Sequence, residues 1–423
     1  MNKHRYHTTG VKQVDWEAIG RSAGTDRTVF AVDVAKEDFV AALMKPDRSV
    51  LVTIKWKHPE ETREMVETLL KNVAMEHLEV VLEPSGTYGD PVRELFAGLG
   101  VAVYMASPKR VHDAAEIYDG VPSLHDAKAA YLIGRLHLEE GSRPWATISV
   151  VRKDLRAAIE IMDLHRDQQQ RDLNRLEGLP ARHWPEATGL LNHGSIAMLS
   201  LLECYGSPAN ITANRAAARQ RMRRTGRGFL KDDKITQLLD SAEATLGLAC
   251  SDLETRYLQA VAKDALRAHH EALVAQRVVE SLATEEVPTK PLTPVIGKVT
   301  SAILIAYQGA PTNYPSARSY LKALGLNLKE HSSGKHRGQL KITKRGHGIS
   351  RRYLYYAALR LIRDDEVVQA WYRSKVQRDG GRIKSKAIIA IMRKLVQALW
   401  HVSRGETFDS RRLFDTRHLG LTG

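Results

Sequence analysis

Hydrophobic and polar positions change rhythm along the chain. Residues 1–27 are polar and aperiodic and read as an N-terminal arm. Three short apolar, β-branched runs follow at 28–34, 38–44 and 49–56, with brief connections between them, one containing Pro46-Asp47. Runs of this length bounded by turn residues predict three hairpin-linked strands. Residues 59–70 open with proline and acids and carry one apolar stripe, as a helix start does. Strands at 78–82 and 101–105 then alternate with helices at 93–99 and 126–139. The predicted order over 28–145 is β-β-β-α-β-α-β-α, a ribonuclease-H-like pattern.

From 146 to 288 the period becomes helical. Leu258, Val261, Ala265, Ala268, Ala272, Ala275, Val279 and Leu282 step by threes and fours, a heptad seam. Leu155, Ile159, Met162, Leu173 and Leu176 offer an antiparallel partner; the seam suits an internal bundle and an intermolecular coiled coil equally. Between them, the basic run 215–227 reads either as a phosphate contact or as a solvated loop. A proline-containing linker at 288–294 leads into a mainly helical domain, 289–423. Its Pro294-Val-Ile-Gly297-Lys-Val-Thr-Ser-Ala302 resembles the turn of a helix-hairpin-helix unit. The expected fold is α/β plus α.

Composition narrows the class. A length of 423 residues suits two or three domains, and 43% hydrophobic with 26% charged residues supports a proper core. No run of 18 apolar residues occurs and the start is polar, which points to a soluble, cytoplasmic protein with no membrane partner. Cys204 and Cys250 lack metal-site spacing and read as packing residues. Charge is distributed unevenly. Positions 291–423 hold 25 Lys and Arg against 8 Asp and Glu, a balance of +17, leaving 38 against 41, or −3, for 1–290. The last third is therefore the expected polyanion-binding region, with Tyr353, Tyr355, Tyr356, Trp371 and Tyr372 interleaved as stacking candidates.

Three acids stand out in the first region. Asp33 interrupts the apolar run Phe30-Ala-Val-Asp-Val34, where an unpaired carboxylate is costly, so a cationic group is expected opposite it. Glu83 ends a strand just before a turn-forming segment, and Asp126 opens a helix. Together they suit Mg²⁺, a hard ion that prefers oxygen ligands. A helix cap at Asp126 and an ion pair at Glu83 are the plainer alternatives.

These residues also carry a resemblance. Phe30-Ala-Val-Asp-Val-Ala-Lys36, Glu83-Pro-Ser-Gly-Thr-Tyr-Gly89 and Asp126-Ala-Lys-Ala-Ala-Tyr-Leu-Ile133 resemble the N-terminal blocks of the one-ten family of insertion-sequence transposases, relatives of the Piv invertase. Pro294 to Ala302, Leu324-Gly-Leu326, the stretch from His331 to Gly346 and Arg351-Arg-Tyr-Leu-Tyr-Tyr-Ala-Ala358 resemble its C-terminal block, in the same order. The resemblance spans about 28–140 and 290–400. It implies a RuvC-like domain with a Mg²⁺-binding DEDD tetrad, coiled-coil helices and a C-terminal transposase domain with a serine nucleophile. It further implies guidance by a structured bridge RNA that pairs with donor and target double-stranded DNA. Asp33, Glu83 and Asp126 take the first three tetrad places and Ser333 the nucleophile place. The fourth place holds Ala129, so either three acids suffice, Asp119 substitutes, or activity is reduced.

The serine has its own chemical logic. A hydroxyl attacks at neutral pH only when a base or metal withdraws its proton. Ser333 is followed by Gly334 and by Lys335, Arg337, Lys341, Lys344 and Arg345, which can neutralise a scissile phosphate. His331 and His336 are the nearby bases, and Ser332 is a competing nucleophile. Arg351 and Arg352 extend the expected nucleic-acid grip. The expected protein is a site-specific DNA recombinase in which the acids and Ser333 form one composite centre, working as a homodimer or tetramer joined through the 150–288 helices. The alternatives are a metal-dependent nuclease that uses water and a non-catalytic nucleic-acid-binding relative.

Overall fold

The computed structural model describes residues 6–84, 86–330, 340–381 and 384–414, which fall into two compact units, 1–148 and 149–423.

In the first unit the expected arm is ordered from Tyr6 onward. Strand β1 (Thr9–Gly10) and helix α1 (Trp16–Ala23), capped by the Asp15 carboxylate, precede the first predicted element. The stripe of Trp16, Ile19 and Ala23 is too short to stand out in the sequence, yet Ile19 and Ala23 are buried. Next come β2 (Thr28–Asp33), β3 (Asp38–Met44), β4 (Val50–Lys57), α2 (Thr62–Asn72), β5 (Leu78–Leu82), α3 (Asp90–Gly98), β6 (Ala102–Ala106), α4 (Pro108–Asp113), α5 (Asp126–Leu138) and β7 (Ser142–Pro144). The predicted order is present, with α4 inserted. The seven strands are arranged β1-β4-β3-β2-β5-β6-β7; β2, β3 and β4 pair antiparallel, while β2, β5 and β6 run parallel.

Side-chain alternation divides the sheet into two apolar layers. Phe30, Val32 and Val34 of the β2 stretch and Val80 and Leu82 of β5 pack with α1, α2 and α3. Val29, Ala31 and Val81 pack on the opposite face with Val111 of α4 and Ala127, Ala130 and Ile133 of α5. Helix α5 lies close because Gly134 faces the sheet. A Cβ there would fall 2.5 Å from Met44 Sδ and 2.9 Å from Ala31 Cβ.

The second unit is helical, with a long hairpin at its centre. Helix α6 (Val150–His183) is followed by α7 (Pro185–Leu190), α8 (Ile196–Tyr205), α9 (Pro208–Ala213), α10 (Arg215–Gly226), α11 (Asp232–Glu243) and α12 (Asp252–Glu285). Leu155, Ile159 and Met162 cluster with Ala275, Val279 and Ala283, whereas Leu176 clusters with Leu258, Val261 and Ala265. The two long helices are therefore antiparallel, and the alanine-rich seam is buried inside this chain rather than left for a second copy. Arg166 Nη2 to Gln276 Oε1, 2.7 Å, ties them further. The 215–227 run is helix α10 rather than a loop, with Arg215, Arg219, Arg221 and Arg223 ion-paired to neighbouring acids.

The remaining elements are α13 (Thr293–Ile296), α14 (Lys298–Gln308), α15 (Ala317–Ala323), β8 (Leu328–Lys329), β9 (Lys341–Ile342), α16 (Gly348–Asp364), α17 (Glu366–Arg378) and α18 (Lys384–Val402). Apart from the exposed β8, they share one core around Ile391, Leu395 and Leu399. Gly297, at φ 80°, makes the expected turn between α13 and α14. Arg360 Nη2 bonds the Val295 carbonyl there at 2.8 Å. Cys204 is exposed and Cys250 half-buried, so only Cys250 behaves as the expected packing residue. No described helix is long and apolar enough to cross a membrane.

Replacing Gly134 with valine is expected to lower unfolding stability by about 1–3 kcal/mol, since the branched side chain has to displace Ala31 and Met44. Chemical denaturation of the variant against the parent chain checks this.

Candidate metal centre and nucleic-acid interface

Strand register brings the first two acids together. Val32 pairs with Leu82 across the parallel β2–β5 ladder, so Asp33 and Glu83 each lie one step further along neighbouring strands. By alternation both belong to the face that carries α5, where Asp126 is the first helical residue. Asp33 is half-buried, and its carboxyl is pushed up to about 7, first by burial, then by the charges of Asp126 and Glu83, against a smaller opposing hydrogen bond from the Val34 amide. The group opposite Asp33 is thus acidic, which reverses the expectation of a cation. The helix is capped by the His125 side chain, so Asp126 does not serve as its cap.

The neighbouring charges of Asp126 and Glu83 disfavour the ionised form of Asp33, but the three do not make a closed ligand set. Among the described residues no three carboxylate, imidazole or thiolate groups converge to hold a metal. The donor chemistry nonetheless fits a hard divalent cation: all three groups offer oxygen, and their repulsion is what such an ion would neutralise. Asp119, considered for the fourth place, is occupied otherwise. Its Oδ1 accepts from Lys128 Nζ at 2.8 Å and its Oδ2 from the Tyr6 hydroxyl at 3.2 Å. Lys128 is 2% exposed, so the pair neutralises a buried ammonium, which also donates to the Val121 carbonyl at 2.6 Å. Ala129, in the fourth place itself, is buried on α5.

The expected nucleic-acid contacts separate into two groups. Ser333, Lys335 and Arg337, together with Ser332, His331 and His336, lie outside the described residues. Lys341, Lys344 and Arg345 are exposed on and beside β9. Arg351 and Arg352 are engaged internally instead. Arg352 pairs with Asp163 and, at 3.0 Å, with Asp167, both on α6. Arg351 Nη1 reaches the carbonyls of Leu324, Arg345 and Gly346 at 3.3, 3.1 and 3.0 Å. Of the aromatic candidates, Tyr353 is buried and Trp371 stacks on Phe414, while Tyr356 remains half exposed. Lys329 escaped the sequence reading because Leu328 and Glu330 flank it; only strand register reveals that it faces Lys341.

Comparison with known proteins finds matches to transposase families over both ends of the chain. A family profile described as a transposase, of the DEDD IS110 type, matches residues 30–179, and one described as transposase IS116/IS110/IS902 family matches residues 292–373. The chain carries the domains of IS110-family transposases. A Streptomyces coelicolor protein, described as an uncharacterized 43.6 kDa protein of insertion element IS110, is 26% identical over 260 residues, 57% of this chain and 61% of that relative. The alignment therefore spans less than two thirds of the relative. The first IS110-family profile encloses Asp33, Glu83, Asp126 and Ala129, and the second encloses Ser333 and the β8–β9 stretch.

Two expected outcomes test the acids. Because Asp33 holds its proton to about pH 7 in the fold, against roughly 3.9 when unfolded, the folded state binds the extra proton between these values. Metal-free stability should thus fall as pH rises from about 4 to 7, and Asp33→Asn should raise it by about 2 kcal/mol at pH 8. Thermal melts at pH 5 and pH 8 measure this, and millimolar Mg²⁺ should raise the pH 8 melting temperature of the parent but not of the variant. By contrast, Asp119→Ala should lower the melting temperature at both pH values by stranding the buried Lys128 ammonium, while leaving the Mg²⁺-dependent rise intact.

Proposed function

We propose that this chain is a DNA transposase that cuts and rejoins double-stranded donor and target DNA through a covalent phosphoserine at Ser333, with Asp33, Glu83 and Asp126 holding Mg²⁺. The observation that supports this reading is the half-buried Asp33, whose carboxyl is pushed up to about 7 by burial and by the charges of Asp126 and Glu83, within a DEDD-type transposase profile. A bound divalent ion supplies charge neutralisation for phosphoryl transfer.

The chain's own groups account for the remaining chemistry. The Ser333 hydroxyl oxygen attacks phosphorus, a serine–phosphate bond forms, and the bond from phosphorus to the departing sugar oxygen breaks. The serine proton passes to a base, for which His331 and His336 are the nearest in sequence, and the leaving oxygen takes up a proton. Attack on the phosphoserine by a hydroxyl of the incoming strand reverses these bonds, so rejoining needs no external energy source. Lys341, Lys344 and Arg345 offset the charge of the phosphate.

The strong positive balance of 291–423 supports two polyanionic partners, duplex DNA and a structured bridge RNA. Holding donor and target together calls for a homodimer or tetramer. Since the 258–279 seam is buried within the chain, that assembly uses another surface. The three acids alone would also serve a nuclease that activates water, and the absence of a fourth acid at Ala129 leaves room for a binding protein without activity.

Trapping the protein on DNA separates these readings. In Mg²⁺ the parent chain should form a denaturant-resistant DNA adduct whose linked peptide contains Ser333, and Ser333→Ala should abolish it. Asp33→Asn should lower its rate at least a hundredfold. Cleavage that persists in Ser333→Ala identifies a water nuclease, and DNA binding without cleavage or adduct identifies the inactive relative.

A further inference from the structure

The small β8–β9 sheet pairs Leu328 with Ile342 and Lys329 with Lys341. Directly opposed residues in an antiparallel pair project to the same face with Cβ atoms about 5 Å apart, and like charges there weaken the pairing. Ile342 packs toward the C-terminal core, so the lysines occupy the outer face, where both are exposed.

The stem gives the lysines no route to relieve this repulsion by changing register. The Thr343 amide donates to the Asn327 carbonyl at 2.9 Å, and its hydroxyl donates to Asn327 Oδ1 at 2.6 Å. One step on, the Lys344 amide donates to the Gly325 carbonyl at 2.9 Å. Arg351 ties carbonyls from both arms of the stem, and Arg393 Nε bonds the Leu326 carbonyl at 2.9 Å. Elsewhere in this unit exposed cations such as Arg223 and Arg267 are matched with acids. Among the described residues neither lysine of the stem has an acidic partner, and the adjacent Glu330 pairs with neither. Strand register thus sets two lysines directly opposite each other on one exposed face, with no acidic partner among the described residues.

We propose that Lys329 and Lys341 form a clamp for one phosphate of the DNA backbone and position the strand for reaction. One phosphate accepting from both ammonium groups converts their repulsion into two charge-assisted hydrogen bonds. The choice of DNA rests on the function proposed above, because residues 331–339, between the two strands in sequence, include the proposed DNA-attacking serine. Lys329 and Lys341 are positioning residues, and neither takes part in bond exchange.

Equilibrium binding tests the clamp without requiring reaction. Full-length protein carrying Ser333→Ala is titrated against a fluorescent 40-base-pair duplex between 50 and 200 mM KCl, with Lys329→Thr, Lys341→Thr and the double substitution added in turn. The double variant should bind about tenfold more weakly at 150 mM KCl, and its slope of log affinity against log salt should be shallower by about 1, the loss of one phosphate contact. Each single variant should account for most of that loss, so the effects are not additive. The double variant should melt no lower than its parent, and a Lys329→Arg, Lys341→Arg protein should bind like the parent. An unchanged affinity and slope, a slope change near 2, or a lowered melting temperature with unchanged binding would each overturn the clamp. A loss seen only with a 40-nucleotide stem-loop RNA would overturn it as well. Failure of the parent chain to form a serine–DNA adduct would refute the proposed reaction while leaving this binding result to stand by itself.

Discussion

Alternation along two parallel strands is the constraint on which the first unit's chemistry depends. With Val32 opposite Leu82, Asp33 and Glu83 have to share a face, and that face carries α5 and Asp126. Gly134 lets α5 lie against β2 and β3 without a Cβ in between. Charge repulsion then follows from the geometry. Burial and two neighbouring carboxylates hold Asp33 in its protonated form toward neutral pH, and the strain is relieved by a proton or by a cation. Perturbed carboxylates of this kind mark functional sites more often than structural ones. Here the contrast is internal: Asp119, also an aspartate of this unit, is satisfied by the buried Lys128, which keeps its carboxyl below the usual range.

The second unit shows how differently its positive charge is used. On α10 and α16 guanidinium groups bind acids or carbonyls of the same chain, which fixes helix packing and leaves less charge for nucleic acid. Around β8 and β9 the cations are exposed and unmatched among the described residues. Part of the positive charge of this unit thus supports its own packing, while Lys329, Lys341, Lys344 and Arg345 present theirs to solvent.

Patterns carried by neighbours in sequence were legible, whereas long-range pairings were not. The β2–β4 hairpins, the parallel strands and the long helices follow from local periodicity, and the three acids were marked by interrupting an apolar run, ending a strand and opening a helix. Arg352 looks like a phosphate contact until α6 brings Asp163 and Asp167 to it from far upstream. Likewise the seam from Leu258 to Val279 carries the same heptad whether its partner is within the chain or outside it. The cation expected opposite Asp33 reflects a general rule about buried charge; this site departs from that rule because its acids oppose one another. The arm contains one buried helical face and a two-residue strand, too little for periodicity to register.

The central proposal is that Asp33, Glu83 and Asp126 together hold a divalent metal ion. Crystals of the full chain soaked in Mn²⁺ and measured at the manganese absorption edge test it most directly. The account predicts an anomalous peak about 2.1 Å from carboxylate oxygens of Asp33 and of Glu83 or Asp126. Saturating Mn²⁺ with no peak at these residues, or with density only at other surface acids, would contradict it.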